Sequence, residues 1–154
     1  TGGVMEAALR SAYFLVTGNN PAPNAFKEVR GREGWREATF DLNGRELRVA
    51  IVHGLANAGA LLDALDRGLT YYDFVEVMAC PGGCVGGGGQ PIHDGRELAR
   101  ERATVLRTLD KGAQIRFSHE NPDVAACYRD FLGEPLSELS ERLLHTDHAA
   151  WDMP

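Results

Sequence analysis

Residues 75–91, VEVMACPGGCVGGGGQP, limit the possible fold more than any other stretch. Cys80 and Cys84, with three residues between them, close an apolar run and lead into four consecutive glycines, 86–89. A short apolar run bounded by proline and glycine reads as a buried strand. The segment YDFVEVMAC, 72–80, is therefore expected to deliver Cys80 at the C-terminal end of a strand, where an open α/β sheet places its site. Glycines after such a strand let the backbone approach a group that a Cβ would obstruct.

The chemistry that needs this pattern is found by elimination. A phosphate cradle would carry the Lys-Ser/Thr of a P-loop or the glycine spacing of a dinucleotide site, and GGCVGGGG has neither. A thioredoxin-type pair has two residues between its cysteines rather than three. Zinc would take four ligands, but the chain holds one further cysteine and five scattered histidines, with no second knuckle. Iron and sulfide fit better: thiolates are soft donors, and backbone N–H groups aimed by glycines stabilise an anionic cluster. A cubane usually takes four cysteines. Cys127 falls in the apolar stripe Val124, Cys127, Tyr128, Phe131 and reads as core, so at least two ligands would lie outside these residues.

The rest of the chain reads as one α/β domain. Its 154 residues are 44% hydrophobic, enough for a core, and its net charge of −6 disfavours nucleic acid as a partner. No window approaches the roughly 20 apolar residues of a membrane span, and three cysteines point to a reducing, cytoplasmic setting rather than a disulfide scaffold. The start, TGGVMEAALRSAYFLVTGNNP, has a helical pattern (Val4, Met5, Ala8, Leu9, Ala12, Tyr13, Val16) within one turn of Thr1 and reads as a cut chain. Residues 24–36 read as a polar connection. Asn43-Gly44 marks a hairpin within 38–54, and 55–68 reads as a helix with Leu55, Gly59, Leu62 and Leu65 facing it. A charged helix ends at Gly112, Asn121-Pro122-Asp123 caps another, and a last helix covers roughly 136–144. The expected architecture is a small mixed sheet flanked by helices and ending in helices. Its boundary falls after 112, with 113–154 as a helical segment.

Longer motifs in the same residues resemble the iron-only (FeFe) hydrogenases. EVMACPGGCVGGGGQP is similar to their third signature, Glu-x-Met-x-Cys-x-x-Gly-Cys-x-x-Gly-Gly-Gly-Gln-Pro, at Glu76, Met78, Cys80, Gly83, Cys84, Gly87, Gly88, Gly89, Gln90 and Pro91. TGGVMEAALR resembles a helix start of that family, and residues 115–146 resemble its small-subunit-like segment. The resemblance implies the C-terminal lobe of the catalytic domain. It also implies a cofactor in the intact protein: a 4Fe-4S cubane joined through one cysteine sulfur to a two-iron unit with CO and cyanide ligands. Cys80 matches the terminal cubane ligand and Cys84 the bridging one. Gly83, Gly87, Gly88, Gly89 and Gln90 match the wrapping of the cluster, Met78 a methionine beside the two-iron unit, and Val4 a nearby pocket residue.

The family's first two signatures carry the other cubane cysteines, a proton-relay cysteine, a lysine and most proton-path carboxylates, and none is in these residues. Glu6 and Glu76 are accordingly expected to be caps or structural partners, and His119 and His145 to bond backbone or cap helices. Expected partners are the missing N-terminal half of the domain and a ferredoxin or other electron-carrier domain or subunit. The isolated chain is expected to lack a complete cluster, to be inactive and to self-associate. A rival implication is an iron-sulfur assembly or sensory relative without H2 turnover. The Pro-Gly-Gly between the cysteines favours the enzymes over assembly relatives, in which Pro-Ser-Gly is expected.

Overall fold

A computed structural model describes residues 1–92 and 94–145. The last nine residues of the 113–154 segment therefore lie outside the described residues. The chain divides into two compact units, Thr1–Gln114 and Ile115–Pro154.

The first unit is built on a three-stranded mixed sheet, in the order β1 (Trp35–Leu42), β2 (Arg45–His53), β3 (Phe74–Met78). β1 and β2 form the antiparallel hairpin around Asn43-Gly44, and both turn residues take positive φ (60° and 85°), the requirement that Asn-Gly meets at low cost. β3 then pairs parallel to β2, with His53 opposite Met78. As the central strand, β2 buries every residue from Val49 to His53, and alternation sends them to opposite faces. Val49 and Ile51 pack with Met5 and Leu9 of helix α1 (Gly3–Thr17) and with Phe26 and Val29. Ala50 and Val52 pack with Tyr72 and with Leu61 of helix α2 (Leu55–Asp66). The unit ends in helix α3 (Ala99–Gly112).

Several expectations shift in the structure. The connection 24–36 is polar in composition, yet Phe26 and Val29 are core residues, because a 3-10 turn at Lys27–Val29 aims both inward. On α2 the buried stripe is Leu61 with Ala58 and Leu65, while Leu55 and Leu62 are exposed. A helix so apolar offers two possible stripes, and packing on Ala50 and Val52 selects between them. β3 is an edge strand rather than a buried one: Val77 is 51% exposed and Glu76 is its buried residue. On α1, Val4 and Val16 face outward, and the inward stripe continues through Glu6 and Arg10.

Those two charges are satisfied where they lie. Glu6 accepts bonds from Arg10 Nη2 (2.8 Å) and, in a fork, from Arg30 Nε and Nη2 (2.6 and 2.5 Å). Arg10 in turn donates to both oxygens of Asp110 on α3 (2.9 and 3.2 Å). A forked guanidinium–carboxylate pair is among the strongest charge-assisted contacts, and a buried pair holds only when its remaining donors are met. The Asp110 bond and the Glu6 charge raise the pKa of Arg10, and the bond to Glu6 raises that of Arg30.

The second unit is helical. Asn121 Oδ1 accepts from the Asp123 amide (2.9 Å) to cap α4 (Pro122–Cys127), which runs into a π-helical turn, Tyr128–Leu132. Ser137 caps α5 (Glu138–Leu144) through the Ser140 amide (3.2 Å). Cys127 is exposed rather than core: it is the last residue of α4, where the helix widens into the π-helical turn, and Phe131 of the same expected stripe is exposed with it. His119 stacks on Phe117 with ring centroids 5.5 Å apart, and His145 closes α5 with its amide on the Glu141 carbonyl (3.0 Å).

Candidate metal centre

Where β3 ends, the chain turns at once. The Gly83 amide donates to the Cys80 carbonyl (2.9 Å), and Gly82 between them sits at φ 80°, ψ −2°. Those are the values of the third residue of a type II turn, with Pro81 in the position that favours proline. CPGG is thus a complete turn signal, and it folds the backbone back so that Cys84 follows on a 3-10 turn, Gly83–Gly86. Both thiols are exposed and neither is in a disulfide.

The glycines after the cysteines divide into two groups. A Cβ on Gly86 would collide with the Pro81 carbonyl oxygen, so this glycine lets the loop close on itself. At Gly87 a Cβ would stand 3.4 Å from Cys80 Sγ, so its absence opens the wall beside that sulfur. Gly88 and Gly89 have nothing within 4 Å of a Cβ position and face open space, Gly89 at φ 85°. Gln90 folds back, its side-chain amide donating to the Cys84 carbonyl (2.9 Å).

Three further groups brace this loop. Arg102 of α3 donates to the carbonyls of Val85 (2.9 Å) and Pro91 (2.6 Å), bridging the two ends of the glycine run. Glu76 accepts the amides of Gly2 (2.6 Å) and Met5 (2.7 Å), tying β3 to the first turn of α1. Its buried carboxylate neutralises the positive helix end, so Glu76 is a cap, as the sequence suggests. His53 bonds the Gly82 amide through Nδ1 (3.0 Å). Sequence reasoning singled out neither His53 nor Arg102. His53 stands opposite Met78 only through the β2–β3 register, and Arg102 is one arginine of a charged helix with nothing local to mark it.

The structure brings Cys80, Gly83, Cys84, Gly87 and Gln90 together in one loop, and Met78 stands half-buried at its root. Val4 lies on the first turn of α1, beside the Met5 amide that Glu76 holds, and is 59% exposed. The donor chemistry suits a soft metal, with two accessible thiols and a wall without side chain next to one sulfur. Among the described residues no group of three or more His, Cys, Asp or Glu could hold a metal ion.

The comparisons with known proteins agree with this geometry. The family model for the iron-only hydrogenase large subunit, C-terminal domain, matches residues 1–88, and that for the iron hydrogenase small subunit matches 96–151. The chain is 50% identical over 149 residues to the NADP-reducing hydrogenase subunit HndD of Solidesulfovibrio fructosivorans, covering 96% of this chain and 25% of the relative. It is 34% identical over 158 residues to the cytosolic iron-sulfur assembly component 3 of Mus musculus, covering all of this chain and 32% of that protein. A solved structure of an FeFe-hydrogenase HydA1 variant from Chlamydomonas reinhardtii superposes with a TM-score of 0.74 at 39% identity, over 95% of this chain and 44% of that one. The chain therefore spans a quarter to a third of these curated relatives. With a cysteine–glycine loop at the end of a mixed sheet and both family models matched in order, the chain belongs to the iron-only hydrogenase family and corresponds to its C-terminal part.

Proposed function

We propose that the intact protein carrying this chain is an FeFe hydrogenase, which combines two protons with two electrons from an external carrier to give H2, reversibly. In this reading Cys80 and Cys84 would be thiolate ligands to a 4Fe-4S cubane, and Cys84 would also hold a two-iron unit bearing CO and cyanide. Such a cluster supplies low-potential electron transfer and an open iron position for hydrogen chemistry. The observation that carries the proposal is the turn itself. A type II turn spaces the two thiols, and Gly87 leaves the flank of Cys80 Sγ free for a bulky inorganic group.

The chain's own residues hold and screen this group. Gly83, Gly87, Gly88 and Gly89 let the backbone close over it, and Gln90 fixes the carbonyl of Cys84. Met78 and Val4 would flank it as apolar side chains that limit water, without a titratable atom to carry protons. Glu6 and Glu76 are consumed by arginine and amide partners and are not proton carriers. The remaining cubane cysteines, the proton path and the electron entry belong to the preceding half of the domain. A ferredoxin or another electron-carrier domain or subunit is the partner. The three cysteines, all free, favour a reducing, cytoplasmic setting. The helical segment from 113 onward serves as the small-subunit part.

Identity to the hydrogenase relative (50%) exceeds that to the assembly component (34%), which supports turnover over a purely assembly role. The test is H2 evolution with a strong reductant by the full-length protein, matured with its accessory proteins, with and without Cys84→Ser. Full-length wild type should evolve H2, and both Cys84→Ser and the isolated chain should not. A matured full-length protein that binds iron but gives no H2 would support the assembly reading instead.

A further inference from the structure

The reading of Cys80 and Cys84 as cluster ligands leaves open what fixes the direction in which the turn between them presents its sulfurs. Gly82, at the middle of that turn, points its amide away from the Cys80–Gly83 hydrogen bond, and in a type II turn this N–H is not used by the turn itself. Here His53 takes it: Nδ1 accepts the Gly82 N–H at 3.0 Å. The other ring nitrogen, Nε2, lies 3.1 Å from the Arg32 carbonyl and donates to it, so the two backbone partners require the neutral Nε2–H tautomer. The residue is only 9% exposed. Its own backbone is held on both sides, the amide on the Gly34 carbonyl (2.8 Å) and the carbonyl by Asn57 Nδ2 (2.8 Å). Next to it, the Gly54 amide donates to the Met78 carbonyl (2.9 Å), so the end of β2 and the root of the loop are joined. The imidazole is thus a rigid strut between the central strand and the peptide that separates the two cysteines.

We propose that His53 is a positioning residue for the metal centre: by holding the Gly82 amide it sets the orientation of the Cys80–Cys84 turn and slows release of the group bound there. This rests on the ligand assignment of the preceding section and adds the residue that organises it. The Gly82 carbonyl also accepts from the Thr1 nitrogen (3.1 Å), so among the described residues His53 is the one side-chain hold of two external holds on this turn, and its removal loosens the turn where the ligands diverge.

The experiment uses the full-length, iron-loaded protein as wild type, Cys84→Ser, His53→Leu, His53→Asn and Leu61→Ala. Iron per chain is measured first, then the rate of iron release to a chelator, and then hydrogen exchange of the 79–84 backbone in the iron-free form. His53→Leu removes both ring bonds. His53→Asn keeps an oxygen near the Nδ1 position. Leu61→Ala weakens the opposite face of the sheet and controls for general loss of stability. The expected result is exchange at Gly82 and iron release at least tenfold faster in His53→Leu, with His53→Asn and Leu61→Ala within about threefold of wild type. Unchanged Gly82 exchange or iron release in His53→Leu would overturn the proposal, as would equal acceleration by Leu61→Ala. An iron content unaffected by Cys84→Ser overturns the ligand assignment instead, whatever the exchange data show.

Discussion

Gly82 is where a single side chain has the most to upset. Its φ of 80° is one an L-residue reaches at a cost of roughly 1–2 kcal/mol, and the nearest heavy atom to a Cβ placed there, the Ala99 methyl, is at an ordinary 3.4 Å. Conformation rather than crowding therefore decides the penalty. Gly82→Ser should lower unfolding stability by about 1 kcal/mol, while Gly88→Ala, with open space around its Cβ, should change it by less than about 0.5 kcal/mol. Urea unfolding of the two variants checks the contrast, and equal losses would mean that the turn is not type II in solution. At this scale the sequence was informative where chemistry is local. Asn43-Gly44 and Asn121-Pro122 each name their own turn or cap, and each forms as read, whereas the CPGG turn, equally local, was passed over for its cysteines. His53 and Arg102 were not legible, since each acts on backbone 29 and 17 residues away and no neighbour in sequence records that meeting.

At the scale of elements, α2 shows how an apolar pattern can misdirect. LANAGALLDALD carries leucines on two adjacent faces, and only tertiary packing chooses Leu61, which is 2% exposed, over Leu62, at 58%. Leu61 fills the space between Ala50, Val52 and Tyr72, so Leu61→Ala should cost about 2–5 kcal/mol. Leu62→Ala should cost less than about 0.5 kcal/mol in this chain, and denaturation midpoints of the two variants decide between the stripes. A larger loss for Leu62→Ala would restore the face read from sequence. β3 teaches the complementary lesson: its apolar letters suggested burial on both faces, but the sheet ends at this strand, and the residue that is buried is the carboxylate capping α1. Strand position in a sheet is set by partners far along the chain, which composition does not encode.

The whole molecule exposes much of what its pattern marks as interior. Val4, Val16, Leu55, Leu62 and Val77 are all at least half exposed, and among the described residues β3 leaves a parallel edge unpaired. Parallel sheets are ordinarily covered on both faces, and contiguous apolar surface promotes association. The isolated chain should therefore sediment as a dimer or larger species at micromolar concentration, whereas a monomer across a hundredfold dilution series would count against this. On the proposed reading the loop is one half of a larger site. The loop is fully braced by His53, Arg102 and Gln90, yet the chain offers two thiols in it where a cubane usually takes four. The measurement that bears most directly on that claim is iron per chain in the full-length protein, for wild type and for Cys80→Ser, Cys84→Ser and Cys127→Ser. Loss of cluster iron in the first two variants, with Cys127→Ser equal to wild type, is the predicted result. Iron content indifferent to Cys80 and Cys84, or dependent on Cys127, would contradict it.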